Sequence, residues 1–385
     1  MQRFRHPVFR IALATTLLVA AYAMYAPVLA VLLQQRGYGT AAVGAFAMLG
    51  MACTGVLIPV MPKILARLGE VRACQIGMAM QFAATLGYAF SEDLWVWCAC
   101  SVLGGLGSAA VWNGTEALLA RYAPADSRGH IIGLYQTALG GSMALGPFTP
   151  GLLSLNAHQT LIAASSVQCV GLLIALLTKL PALVSRTPVG HADHQPALST
   201  WGALGRVPAL ATIAFAGGVF EAGLGSVSAA NGAAIGLSLA AAASIVGALG
   251  TGSFLFQYPA GMIADRVAPQ RVFATAGILL LISSISMGWS AQAPWLLWVC
   301  AFVWGGVGGA LYTLTIIRVA HQFEGQDTAA GSAAMIIGYT LGGSVGPLVS
   351  GAALQNFSGP GLAVWLSLLA VLVVFMASRT SPSSP

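Results

Sequence analysis

The sequence predicts an all-α protein that crosses a membrane about twelve times. Hydrophobic residues make up 57% of the 385 positions and charged residues only 7%, with a mean hydropathy of +0.83. Such a composition excludes a soluble core with a solvated surface. Uncharged runs of membrane-crossing length recur at 11–33, 37–62, 73–91, 94–115, 131–157, 159–178, 222–264, 272–317 and 328–378. The last three runs are long enough for two helices each.

Turn-forming residues divide those three long runs. The chain has Asn231-Gly232 in the first, residues 290–294 (Ser-Ala-Gln-Ala-Pro) in the second and residues 356–360 (Asn-Phe-Ser-Gly-Pro) in the third. Asn, Gly and Pro favour tight reversals, so each segment predicts a turn between two helices.

Basic residues indicate the orientation in the membrane. Those predicted to share one side are Arg3, Arg5, Arg10, Lys63, Arg67, Arg72, Arg121, Arg128, Lys179, Arg186, Arg206, Arg266, Arg271, Arg318 and Arg379, which leaves Arg36 opposite. The positive-inside rule then predicts both termini in the cytoplasm and a place in the bacterial inner membrane. This bias accounts for the net charge of +6, so we expect a lipid bilayer and no nucleic acid as partner.

The cysteines indicate neither disulfides nor a metal site. All six fall within predicted membrane-crossing runs, where no disulfide framework is expected. Soft ligands such as Cys98 and Cys100 could suit Cu(I). Residues two apart on a helix point to nearly opposite sides, so they cannot chelate one ion, and we expect no metal.

The two halves of the chain repeat each other. Residues 102–107 (Val-Leu-Gly-Gly-Leu-Gly) return as 303–308 (Val-Trp-Gly-Gly-Val-Gly), and Gly146-Pro147 after Gly-Gly-Ser returns as Gly346-Pro347. We therefore expect a six-helix half at 1–179, a cytoplasmic linker at 180–206 and a second six-helix half at 207–385. This arrangement is the parallel-repeat plan of some secondary transporters.

Several motifs resemble the major facilitator superfamily. Residues 261–266 (Gly-Met-Ile-Ala-Asp-Arg) with Arg271 resemble its signature after the eighth helix, and residues 112–116 (Trp-Asn-Gly-Thr-Glu) are similar to the YcaD-type branch. Residues 146–151 (Gly-Pro-Phe-Thr-Pro-Gly) resemble the kink of proton-coupled exporters, although Ser101 stands where many exporters have arginine. The resemblance implies two pseudo-symmetric six-helix halves, alternating access and no enzymatic activity.

The resemblance also implies residues for gating. Asp265 is expected to meet a base such as Arg318 and to lock one conformation. The other residues assigned to gating or to the structural motif are Gly261, Arg266, Arg128, Gly146 and Pro147. Proline removes a backbone donor, so the helix can pivot at Pro147.

Glu221 is the first candidate for binding substrate or a proton. A charge in hydrocarbon costs at least ~2.5–3.5 kcal/mol, so an acid retained there is a functional candidate by default. Counting from Arg206 places Glu221 near the membrane midplane, where transporters of this plan bind substrate. The alternative is a protonated acid that hydrogen-bonds a neighbouring helix.

Glu116 is the second candidate and is expected nearer the cytoplasmic gate. It follows Trp112 and Asn113 on one helix, and all three are candidate binding residues. A structural ion pair of Glu116 with Arg121, Arg128 or Arg67 is an equal alternative.

The substrate class follows from the charges and aromatics of the spans. No lysine or arginine lies in the middle of a span, which disfavours anionic substrates. Aromatic residues that could stack on an organic cation are Tyr22, Tyr25, Trp112, Phe220, Tyr312 and Tyr339, of which Tyr25, Tyr312 and Tyr339 are the preferred contacts.

We therefore expect a secondary transporter that acts as a monomer. The leading hypothesis is proton-coupled efflux of a small neutral or cationic compound, powered by the proton gradient without a cofactor. No Walker loop supports ATP as the energy source, and no nucleophile, base and orienting group appear together for an enzyme. The alternatives are uptake by proton symport or uniport, and a membrane sensor without transport.

Overall fold

Helices form the regular structure of the described residues, which are 7–122, 128–178, 200–264, 266–323 and 327–380 of a computed structural model. No strand occurs within those ranges. The first part of the chain contains α1 (Pro7–Gln35), α2 (Gly39–Leu57), α3 (Met61–Leu68), α4 (Glu70–Phe90), α5 (Leu94–Tyr122), α6 (Arg128–Leu145), α7 (Thr149–Leu152) and α8 (Ala157–Leu176).

Proline interrupts two of these helices without reversing the chain. Short 3-10 turns at Ile58–Val60 and Gly146–Phe148 join α2 to α3 and α6 to α7. Pro59 and Pro147 lie in these turns and lack the backbone N–H that a regular helix needs. Each pair of helices therefore continues as one bent segment.

The second part of the chain has the same character. Its helices are α9 (Thr200–Arg206), α10 (Pro208–Gly218), α11 (Gly225–Ala234), α12 (Leu239–Ala264), α13 (Pro269–Met287), α14 (Leu296–Gln322) and α15 (Asp327–Ala377). A π-helix at Val219–Gly223 joins α10 to α11. Ser358 divides α15, because its φ of 56° and ψ of −155° are not helical.

Twelve helical segments of membrane-crossing character result within the described residues. Eight helices among the described residues are long and apolar enough to cross a membrane. Ser358 divides α15 into two of the segments. The others are α4, which carries more polar residues, and the interrupted segments α6 with α7 and α10 with α11. The all-helical fold expected from the sequence is confirmed.

Two of the three predicted turns agree with the structure and one is wrong. The chain turns at 288–295 and breaks at Ser358, as expected. Asn231-Gly232, however, lies inside α11, and the reversal follows at Gly236, whose φ is +89°. A Cβ on Gly232 would lie 2.9 Å from Ile245 and 3.3 Å from Ala242, so this glycine serves close helix packing instead of a turn.

The predicted linker at 180–206 ends in a helix. Its last seven residues form α9, which is bent by 101° from the segment that begins with α10. Ala203 is fully buried against the second half, whereas Trp201 is exposed. The rest of the linker, up to residue 199, lies outside the described residues.

Helices α2 and α15 pack together toward the end of the bundle opposite the chain termini. Thr40 Oγ1 donates to the Gly351 carbonyl at 2.9 Å, and the Ala41 amide donates to Gln355 Oε1 at 2.9 Å. Gly44 lies directly against the Pro347 backbone, where a Cβ would overlap the carbonyl. We call Thr40, Ala41, Gly44, Pro347, Gly351 and Gln355 the outer seam.

Replacing Gly44 with alanine should lower the melting temperature of the purified protein in detergent. In an open helical position, Gly→Ala usually stabilises by about 0.4–1 kcal/mol, because the unfolded chain loses freedom. At Gly44 the added methyl group meets the Pro347 backbone, so the sign should reverse.

Gly141→Ala is the matched control, because Gly141 is also helical and a Cβ there meets nothing within 4 Å. Its melting temperature should be unchanged or higher. Equal effects of the two substitutions would show that the outer seam is not tightly packed at Gly44.

Candidate functional site

Glu221 is the central residue of the π-helix that joins α10 to α11. A π-helix shifts side chains out of α-helical register and is often found at functional sites. The glycines around it serve close packing, because Gly217 faces the Gly308 carbonyl of α14 and Gly218 faces the Tyr339 backbone of α15. Neighbouring backbones therefore surround the segment that carries the acid.

The carboxyl group of Glu221 lies between three other helices. Ser253 Oγ of α12 donates a hydrogen bond to Oε1, and Tyr339 Oη of α15 donates to Oε2 at 2.9 Å. Gly309 of α14 provides the space, since a Cβ there would lie 2.7 Å from Oε1. We call Glu221, Ser253, Gly309 and Tyr339 the carboxyl pocket.

The partners in this pocket are hydroxyl groups. A hydroxyl can donate to a carboxylate and can also accept from a protonated carboxyl, so both forms of Glu221 can be hydrogen-bonded here. The ion pair identified among the described residues joins Arg36 to Glu92 at 3.8 Å and does not involve Glu221. The arrangement therefore suits an acid that exchanges a proton.

Aromatic and polar side chains extend the site from the carboxyl pocket. The Tyr312 and Tyr339 rings lie 4.6 Å apart between centroids and are tilted by 44°. In the next turn of the helices, Thr313 Oγ1 donates to Gln257 Oε1 at 2.6 Å. The preferred aromatic contacts Tyr312 and Tyr339 are thus next to Glu221.

Sequence reasoning missed Ser253, Gln257, Gly309 and Thr313. Ser253 and Gln257 are four residues apart in an apolar run, so they share one face of α12. That spacing of two polar side chains could have identified the face. Gly309 gave no such signal, because the sequence is rich in helical glycines.

Glu116 lies on α5, outside the carboxyl pocket. Tyr312 is within electrostatic range of both Glu116 and Glu221. The Glu116 side chain is exposed and interacts with Trp112 one turn earlier, which is 41% exposed. Asn113 donates to the Ala109 carbonyl of its own helix at 2.9 Å. Glu116 and Trp112 therefore lie together near Tyr312.

The expected alternative for Glu116 was an ion pair with a nearby arginine. The side chains of Arg121 and Arg128 lie outside the described residues, although α6 begins at Arg128. Arg67 is described, and it forms no ion pair with Glu116.

Tyr25 belongs to a different part of the molecule. It is buried in an aromatic cluster with Tyr22 and Tyr88, at centroid distances of 5.5 and 5.8 Å. Phe46 and Trp97 extend this cluster, and the Arg36 guanidinium lies 4.5 Å over the Trp97 ring. The structure does not bring Tyr25 into the carboxyl pocket.

The residues assigned to gating lie in varied surroundings. Asp265 lies outside the described residues; Arg318 is buried and Arg266 is exposed. A Cβ on Gly261 would meet nothing within 4 Å. Gly146 packs on α1, where a Cβ would lie 2.5 Å from the Ala23 Cβ, and Pro147 is buried beside it.

Tyr339→Phe should lower the free energy of unfolding by about 1–3 kcal/mol when Glu221 is present, because a buried carboxyl oxygen loses its donor. In a Glu221→Ala background the same change should cost much less. Denaturant unfolding in detergent of the four proteins of this cycle gives the coupling energy.

Tyr135→Phe is the matched control for that cycle. The Tyr135 hydroxyl is buried and has no hydrogen-bond partner among the described residues. Its removal should show no coupling to Glu221. A coupling of zero for Tyr339 would contradict the hydrogen bond to Glu221.

Comparisons with known proteins agree with this architecture. The model of the family described as Major Facilitator Superfamily matches residues 11–251 and 211–385. The uncharacterized MFS-type transporter YcaD of Salmonella enteritidis PT4 is 23% identical over 398 aligned positions, which cover 100% of this chain and 98% of that protein.

Solved structures share the fold at low sequence identity. A crystal structure of a mutant of the nucleoside transporter NupG gives a TM-score of 0.75 at 12% identity, covering 97% of this chain and 100% of that one. The D-xylose-proton symporter gives 0.74 at 14% identity, covering 99% and 98%. These similarities show the fold alone.

The family model covers nearly the whole described chain, and its members are secondary transporters and not enzymes. The chain therefore belongs to the major facilitator superfamily, as a multi-pass membrane transporter.

Proposed function

We propose that this protein exports a small neutral or cationic organic compound from the cytoplasm in exchange for protons. Its setting is the bacterial inner membrane, with both termini cytoplasmic and the monomer as working unit. The observation that carries the proposal is the carboxyl pocket, in which hydroxyl groups hold the Glu221 carboxyl between three helices. No resident cofactor is needed, because the proton gradient supplies the energy.

Proton and substrate compete for Glu221 in this proposal. When the carboxyl is ionised, it attracts a cation or accepts hydrogen bonds from a neutral compound. When a proton binds, that attraction is lost and the compound leaves. This exchange couples the proton flux to the substrate flux, because the carboxyl group cannot bind a proton and the substrate at the same time.

The aromatic wall beside Glu221 supports an organic substrate. Tyr312 and Tyr339 offer ring faces within one side chain of the carboxyl, and a cation over such a face gains about 0.5–2 kcal/mol. An anionic compound would meet the Glu221 charge without a described base to offset it.

Glu116 is proposed as the second proton-binding residue. It is exposed, and Tyr312 lies within electrostatic range of both acids. Ser101 replaces the arginine of many exporters and is buried in α5. In this proposal, coupling of proton and substrate transport depends on Glu116, Glu221 and the hydroxyl group of Tyr312 near both acids.

The second candidate is uptake of a small solute by proton symport. A protein named as a D-xylose-proton symporter shares the fold with a TM-score of 0.74. In symport, proton and substrate would bind together. The Gln257–Thr313 pair could then bind an uncharged polar solute while Glu221 holds the proton.

Everted membrane vesicles test the direction and the coupling. Tetraphenylphosphonium, ethidium and the neutral compound chloramphenicol are supplied outside, with the vesicle interior made acidic. Wild-type protein should accumulate at least one of them when the gradient is imposed. Glu221→Gln should reduce this accumulation at least about tenfold, equivalent to about 1.4 kcal/mol of lost coupling.

Glu92→Gln is the control, because Glu92 is an exposed acid at the opposite end of the bundle from the chain termini. It should transport like wild type. Unchanged gradient-driven transport by Glu221→Gln would remove Glu221 from the mechanism. Transport only in right-side-out vesicles, with the proton and substrate moving together, would favour symport.

A further inference from the structure

A second concave site lies far from Glu221, at the termini end of the bundle. This groove of about 420 Å³ is lined by the start of α10, the end of α14 and the last residues of the chain that the structure describes. Its polar lining comes from Arg206, Thr212, Gln322, Arg379 and Thr380. The proposed transport mechanism does not use any of these side chains.

The groove has a basic rim and an apolar wall. Arg206 and Arg379 are both exposed, and neither forms an ion pair within the described part of the chain. The Arg379 guanidinium lies 5.1 Å over the Phe375 ring, which holds it beside the groove. Phe375 is 51% exposed and continues the wall toward the membrane-facing surface. No aspartate or glutamate lines the groove.

Helix α9 lies across the start of α10 beside this groove. The bend of 101° at Val207 turns α9 away from the direction of the span. Trp201 is 73% exposed on α9, while Ala203 is fully buried. A short helix with one buried face and an exposed tryptophan suits the membrane interface, where tryptophan is enriched. The groove is therefore at headgroup depth.

We propose that this groove binds an anionic phospholipid from the leaflet on the side of the termini. Its phosphate lies between Arg206 and Arg379, and an acyl chain follows the Phe375 wall. Two guanidinium groups suit phosphate oxygens, because each can donate two parallel hydrogen bonds. Basic pockets between membrane helices are known sites for anionic headgroups.

A lipid fits better than a free phosphate ion. Apolar groups, among them Phe375 and Met376, form one wall of the groove, and a free anion would gain nothing from them. A phospholipid contacts both the basic rim and the apolar wall. The bound lipid would join the start of α10, whose span carries Glu221, to the end of α14, which carries Gly309.

Lipid binding is measured on the full-length protein in detergent. Thermal stability is recorded against added phosphatidylglycerol, with phosphatidylcholine and inorganic phosphate as separate arms. Phosphatidylglycerol should raise the melting temperature, whereas phosphatidylcholine and inorganic phosphate should not. In the double variant Arg206→Gln and Arg379→Gln, the phosphatidylglycerol concentration for half the shift should rise about tenfold or more.

The control double variant is Lys63→Gln with Arg67→Gln, which removes the same charge from α3 at the same end of the bundle. It should respond to phosphatidylglycerol like wild type. Arg206→Lys with Arg379→Lys keeps the charge and should bind with intermediate strength. Native mass spectrometry of phosphatidylglycerol retained after the same detergent wash gives a second measure that does not depend on stability.

Three outcomes would overturn the proposal. If the Lys63 and Arg67 control variant bound phosphatidylglycerol as weakly as the Arg206 and Arg379 double variant, the effect would be a general one of surface charge. Equal stabilisation by inorganic phosphate alone would show a site for a free anion. An unchanged response and unchanged retained lipid in the Arg206 and Arg379 double variant would show that the groove binds no lipid.

Discussion

Close approach of helix backbones at glycine is the constraint on which this structure depends. Inside a bilayer the hydrophobic effect does not drive helices together. Association of the helices relies instead on close packing and on hydrogen bonds between helices. Gly252 and Gly305 bring α12 and α14 together, and Gly218 and Gly342 do so for α10 and α15. At each position a Cβ would overlap the backbone of the neighbouring helix. Close packing thus explains these four of the 47 glycines in the sequence.

The same constraint makes room for an acid. Gly309 leaves space for the Glu221 carboxyl, and the close approach of α10 to α15 at Gly218 brings Tyr339 within hydrogen-bond distance. The π-helix at Val219–Gly223 contributes by changing the register of the segment at that point. Close helix packing and the hydrogen bonding of Glu221 therefore depend on the same contacts in this region. A larger residue at Gly309 would change both.

The polar groups around Glu221 all belong to the second part of the chain. Glu221, Ser253, Gly309 and Tyr339 all follow residue 206, and so do Gln257 and Thr313. The first part instead places an aromatic cluster around Tyr25 and Trp97, with Arg36 stacked on it. Similar glycine motifs in the two parts thus support different surroundings. Glu116 is the acid of the first part that comes nearest to this polar region, through Tyr312.

The sequence by itself determined the fold class, the number of crossings and the two acids of interest. Long uncharged runs are typical of membrane-crossing helices, and a charged carboxyl group within such a helix costs free energy. Both features can therefore be recognised without coordinates. Tyr312 and Tyr339 could be named as aromatics, but not as neighbours of Glu221. The turn expected at Asn231-Gly232 was wrong, because glycine there serves packing against α12.

Only the tertiary structure decided which side chains meet. Ser253 and Tyr339 are 32 and 118 residues from Glu221, and they reach it because helix packing sets their rotation and depth. Arg206 and Arg379 likewise share a groove that joins α10 to the end of α15. Periodicity along one helix shows which face is polar. Which neighbour that face meets depends on contacts between residues far apart in the chain, and a single sequence does not encode those contacts in any local pattern.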